Sequence, residues 1–286
     1  MLFLILSILC SVTVGIIFKV GRKQNLNISQ VVAWNYVMAL ILCYFFFSPN
    51  LTAINATAPW QIYIPLGILL PTIFLFLAAS IKHMGIVKTD AAQRLSLFIP
   101  IVAAWFLFGE EFSKIKLLAF LIALPALVLI LSKKTDNQNG KWLYPAVVLV
   151  GFGAIDILFK QIALATSLPF TTSLFITFGI SLVVILICVI YEATVKKVSF
   201  NSTNLYFGLL VGLFNFGNIL FYLKAHQAFA KNPSTVFAAM NMGVIVLGSL
   251  VGVLIFKEKL NSKNYVGLAF ALLAIVLITY SQMMVA

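Results

Sequence analysis

Apolar stretches of about 20 residues alternate with short polar joints along the whole chain. The pattern predicts ten membrane-spanning helices, over residues 2–20, 30–48, 60–81, 89–108, 114–132, 142–163, 171–191, 204–225, 233–256 and 262–283. The segments are apolar nearly all round, so periodicity does not assign their faces. Length assigns them to helices, because backbone groups in lipid must be hydrogen-bonded within their own segment. The longest wholly polar joint, residues 133–141, leaves five spans on each side. An odd number of spans per half turns the second half over relative to the first. The expected fold is therefore an all-α integral membrane protein of ten transmembrane helices. It would be built as two inverted five-helix repeats, residues 1–137 and 138–286.

The two halves carry matching motifs. Ile16-Ile17-Phe18-Lys19 answers to Ile157-Leu158-Phe159-Lys160. Phe108-Gly109-Glu110 answers to Phe256-Lys257-Glu258, and Leu118-Ala119-Phe120 to Leu268-Ala269-Phe270. In membrane proteins, repeats of this kind place a site at the repeat interface and give alternating access to it.

Composition agrees with the pattern. The chain is 63% hydrophobic and 9% charged, against about 25% charged residues in soluble domains. Its net charge of +12 reads as loop lysines facing anionic lipid; no basic patch sits on a polar fold, so nucleic acid is not an expected partner. Cys10, Cys43 and Cys188 lie inside apolar runs, and no Cys/His metal spacing exists. The first run has no basic residues before it and ends at Lys19 and Arg22-Lys23, as a retained helix would. Numbering the joints in order, the odd ones and adjacent helix ends hold thirteen Lys/Arg and the even ones only Lys114, Lys116, Lys224 and Lys231. Positive residues stay inside. Odd joints are thus expected in the cytoplasm, with both termini extracytoplasmic, in a multi-pass protein of the cell inner (plasma) membrane.

Polar groups inside the spans carry the candidate chemistry, because each costs on the order of 2.5–3.5 kcal/mol to place there when charged. Asp156 is the acid deepest within a span and shares a helix face with Lys160. It is a candidate proton site or substrate-amine contact; a self-neutralising helix pair is the plainer alternative. Lys19 and Lys160 occupy equivalent places in the repeat, and inversion would put Glu258 beside Lys19 and Glu110 beside Lys160. Two gates, Lys19–Glu258 and Lys160–Glu110, are expected from this, with snorkelling lysines as the alternative. Asn215, Asn218 and Tyr222 follow i, i+3, i+7 spacing and share one face. That face either lines a polar cavity or joins helices. Trp34, Asn35, Gln93 and Asn241 complete the candidate substrate-binding set. Pro65, Pro71, Pro100 and Pro125 are expected to kink their spans. The pairs Gly208/Gly212 and Gly248/Gly252 are expected at close helix contacts.

These residues resemble the drug/metabolite transporter superfamily, in its ten-helix EamA-type branch. The resemblance spans nearly the whole chain. It rests on the duplicated half, the endings Phe18-Lys19 and Phe159-Lys160, and the run Pro100…Ala104-Trp105…Phe108-Gly109-Glu110. Its second copy is Phe256-Lys257-Glu258-Lys259-Leu260, with Gly267 downstream. The family's early Trp-Gly is missing from both halves, and Gly248 stands where span nine would repeat Pro100. The resemblance implies that helices one to four and six to nine surround a central cavity, with five and ten peripheral, and that the substrate is a small organic metabolite.

The reading is a secondary active or facilitative transporter, an exporter of an amino acid or drug-like compound, working by alternating access. Its partners would be the small-molecule substrate, the lipid bilayer and, through Asp156, protons; the assembly would be a monomer or homodimer. No catalytic residue, cofactor or metal is expected. A non-transporting assembly or sensor subunit would instead pack dry around Asn215, Asn218 and Trp34. An intramembrane enzyme would need a nucleophile–base pair or metal cluster, and no such motif is present.

Overall fold

The computed structural model describes residues 1–21, 24–54, 58–84, 86–130, 141–165, 168–257 and 262–283. They form eleven α-helical segments and no strand among the described residues. In order these are α1 (Leu2–Gly21), α2 (Ile28–Phe47), α3 (Trp60–Met84), α4 (Ile86–Leu95), α5 (Phe98–Phe106), α6 (Lys114–Ile130), α7 (Leu143–Leu164), α8 (Phe170–Thr194), α9 (Ser202–Ala228), α10 (Pro233–Leu254) and α11 (Ser262–Met283). Seven of them, α1–α3 and α7–α10, are long and apolar enough to cross a membrane. Shorter apolar stretches run over Ala92–Phe106 and Ser262–Ile278.

The fourth expected span is broken into α4 and α5. Pro100 explains the break. It has no N–H to give the Ser96 carbonyl, and its ring crowds that carbonyl. The chain turns at Ser96-Leu97, and the Ser96 carbonyl accepts from Ile99 N at 3.0 Å instead. Ser96 Oγ donates to the Gln93 carbonyl at 2.6 Å. Pro65 and Pro71 lie within the unbroken α3, and Pro125 within α6.

Helices before residue 131 find their main partners after residue 140. α9 packs on α1 and α2; α3 packs on α7 and α8. α1 lies along α10, while α4 and α5 lie along α7. α6 and α11 form a pair of their own, with Asn264 Nδ2 donating to the Leu129 carbonyl at 3.1 Å. The same pairings recur when the two stretches of chain are exchanged.

Small residues set close contacts in two of these pairs. A Cβ on Gly208 would strike the Trp34 side chain and lie 2.8 Å from the Val31 carbonyl; one on Gly212 would lie 2.7 Å from the Asn35 carbonyl. α9 therefore touches the backbone of α2. On the other pair, a Cβ on Gly67 would meet Ile180 Cβ at 2.6 Å across α8. Gly248 is different: a Cβ there meets nothing within 4 Å, so its expected close contact is not formed. Buried side-chain bonds close the same two pairs. Asn204 Nδ2 donates to Gln30 Oε1 at 2.8 Å between α9 and α2. Tyr63 Oη and Ser173 Oγ share a hydrogen bond of 2.7 Å between α3 and α8.

Gly212→Val should destabilise the protein by about 1–3 kcal/mol, the usual effect of overpacking. Thermal unfolding in detergent checks this. The same change at Gly248 should leave the melting temperature nearly unmoved.

Candidate functional site

α9 carries polar groups on one face, and each reaches a different helix. Asn215 Nδ2 donates to Asn35 Oδ1 on α2 at 3.0 Å. Asn218 accepts from Ser7 Oγ on α1, at 2.8 Å through Oδ1 and 3.0 Å through its carbonyl. Tyr222 Oη donates to Asp156 Oδ1 on α7 at 2.8 Å. An amide or hydroxyl deprived of water needs such partners.

The Tyr222–Asp156 contact is the first rung of a ladder between α7 and α9. One turn along α7 is Lys160, and one turn along α9 is His226. Lys160 Nζ donates to the His226 carbonyl at 3.3 Å and to the Ala230 carbonyl at 2.9 Å. The lysine is fully buried, whereas Asp156 is only half-buried. They do not form an ion pair with each other, because the lysine is drawn to carbonyls at the end of α9 left without helical donors. The His226 ring is fully buried between Tyr222 and Phe237, with centroids 4.6 and 4.8 Å away; neither ring nitrogen has a partner among the described residues.

The end of this ladder meets a buried charge cluster. Glu110 accepts from Lys116 Nζ at 2.6 Å, from Ser234 N at 2.8 Å and from Ser234 Oγ. Lys116 also donates to Asn232 Oδ1 at 3.1 Å. The Glu110 carboxylate thus sits on the N-terminus of α10, where unsatisfied N–H groups and the helix dipole favour an anion. This corrects the expected Lys160–Glu110 pair. Lys116, only six residues away in the chain, takes the glutamate, and Lys160 is held by carbonyls instead. At the other end of the molecule Lys19 Nζ lies 3.9 Å from the centroid of the Phe256 ring. Glu258, the partner expected for Lys19, lies outside the described residues.

Of the remaining expected residues, Trp34 is half-buried against Gly208. Gln93 is half-buried on α4. Asn241 Nδ2 donates to the Phe237 carbonyl of its own helix at 3.0 Å. Ser7, Lys116, His226 and Ser234 were not singled out from sequence. Lys116 read as a loop charge, and the serines and histidine had no partner spacing.

The two ends of the bundle differ. Pro233–Ala239, the first two turns of α10, are buried on every face, and the charge cluster lies against them. At the other end of α10, Leu254, Ile255 and Lys257 are exposed. Leu4, Ile8, Ser11 and Gly15 form one stripe of α1. Leu4 is buried and Ile8 packs on Gly243 of α10, yet Gly15 is exposed, with nothing within 4 Å of where its Cβ would be. Along this stripe the residues nearer the Glu110 end are packed, whereas Gly15, nearer Lys19, is exposed.

A helical bundle with seven membrane-length apolar helices, a bonded polar interior and buried charges at one end is a multi-pass membrane protein. Comparison with known proteins gives it a family. The sequence matches the EamA-like transporter family over residues 1–132 and 141–280. It is 40% identical over 293 residues to an uncharacterized protein of Haemophilus influenzae, covering 99% of both chains. A crystal structure of a protein 13% identical in sequence superposes with a TM-score of 0.71, over 98% of this chain and 96% of that one, a likeness of fold. The chain belongs to the EamA-like transporter family, whose members are membrane transporters of small molecules.

Glu110→Gln leaves the Lys116 charge buried without its counter-ion. It should cost about 3–5 kcal/mol, and Glu110→Gln with Lys116→Met should cost less than the two single changes together. A double-mutant cycle on thermal stability measures this.

Proposed function

We propose that the chain is a secondary transporter, an exporter of a small organic metabolite, that works by alternating access in a bacterial inner membrane. The observation that carries this is the contrast between the two ends: a buried charge network around Glu110, and an exposed core-facing glycine towards Lys19. A bundle sealed at one end and open at the other suits one state of an alternating-access cycle. Two inverted five-helix repeats, 1–137 and 138–286, account for the exchangeable helix pairings. The lysine count puts the Lys19 end in the cytoplasm and both termini outside, so this state faces inward.

The close contacts change what would rock. Gly208 and Gly212 bind α9 to α2, and Gly67 binds α3 to α8. The moving bodies are then not the two sequence halves. They are α1, α2, α9 and α10 on one side and α3–α5, α7 and α8 on the other, each drawn from both halves. Lys160, Glu110, Lys116 and Ser234 hold the outer gate; Lys19 and Glu258 form the inner one. Asp156, half-buried on α7, is the group suited to coupling with protons. The unit is a monomer or homodimer. A dry-packed sensor subunit would also show the Asn35–Asn215 and Ser7–Asn218 bonds. It would not leave Gly15 exposed on a core-facing stripe.

In oriented vesicles, Gly15→Cys should react with a membrane-impermeant maleimide from the cytoplasmic side, and Ser234→Cys should not react. Adding Lys160→Met should loosen the outer gate and raise labelling of Ser234→Cys from outside several-fold. Unchanged labelling at both positions would sink the gate. If Asp156 carries the proton, Asp156→Asn should abolish pH-driven accumulation in proteoliposomes.

A further inference from the structure

We infer that Asp156 is the head-group site for an organic monocation, a lipophilic amine, rather than for a zwitterion such as an amino acid. The inference rests on the transporter reading and names its substrate class. Asp156 Oδ1 accepts from Tyr222, while Oδ2 accepts no hydrogen bond among the described residues and is not sealed from solvent. A carboxylate at this depth calls for a cation. The protein supplies none. Lys160, one turn away, is fully buried and committed to the His226 and Ala230 carbonyls. Lys116 is committed to Glu110 and Asn232.

The surroundings decide the rest of the ligand. Phe152 lies one turn from Asp156 towards the open end and is half-buried. Phe159 stands edge-on to the Tyr222 ring, with centroids 6.2 Å apart. Aromatic groups suit an ammonium with an apolar body. The amides of α9 on the same face are already bonded to Asn35 and Ser7. A carboxylate on the ligand would therefore lose its water and gain no cation, a heavy penalty in low dielectric.

The test is thermal stabilisation of purified protein in detergent at fixed pH. The probes are 2-phenylethylamine, its neutral isostere 2-phenylethanol, 3-phenylpropionate and phenylalanine. The amine should raise the melting temperature in a saturable way, and the other three should not. Its apparent affinity should fall at least about tenfold in Asp156→Asn, as loss of a charge-assisted bond requires, and persist in Asp156→Glu. Absence of stabilisation by the amine, or equal stabilisation by the alcohol or by phenylalanine, overturns the inference. The wild-type comparison decides even if Asp156→Asn does not fold. Failure here leaves the labelling of Gly15→Cys and Ser234→Cys untouched, so the site and the alternating-access reading fail separately.

Discussion

A bilayer offers no water to a polar group, and this constraint arranges the interior around α9. Its amides and phenol cannot point into lipid, so each is answered from another helix: Asn35 on α2, Ser7 on α1 and Asp156 on α7. Three bonds from one helix face fix its rotation against three neighbours. The glycines at 208 and 212 add to this by bringing α9 down to the backbone of α2. Polar satisfaction and close packing thus select the same arrangement, which is how a bundle of uniformly apolar helices acquires one packing among many.

The charges follow the same logic with more at stake. Lys160, Lys116 and Glu110 are all buried, and each is saturated by partners from at least one other segment. Such a cluster tolerates little partial separation, since a half-broken buried network is worse than none. It is therefore suited to two discrete arrangements, assembled or solvated, as a gate requires. Asp156 is the exception. Its one protein partner is a neutral phenol, and its second carboxylate oxygen accepts no hydrogen bond among the described residues. The scaffold satisfies every other deep charge among the described residues, and the one it leaves over is where a ligand or proton has something to bind.

Much of the fold was legible in the sequence. Apolar length marked the helices, and Pro100 marked the place where the fourth span breaks. The candidate residues were legible by type: Asp156, Tyr222, Asn215 and Asn218 stood out because polar groups in apolar runs are costly. Their pairings were not. Repeat symmetry predicted Lys160 with Glu110, but the chain offered a nearer lysine, Lys116, that the charge count had grouped with a joint. His226 and Ser234 gave no signal, because a histidine or serine near a helix end is ordinary until the neighbouring helices are known.

By itself the sequence determined a duplicated, many-helix membrane protein and named its costly residues. Those properties are local: in lipid each segment must satisfy its own backbone, and its own composition decides whether it can. The tertiary structure alone decided which helix answers each polar group, which end is sealed and which acid is left without a cation. Helices that are apolar on every side carry no preferred face in their sequence. Rotation and partner are set only when all of them pack together and the few polar groups compete for one another.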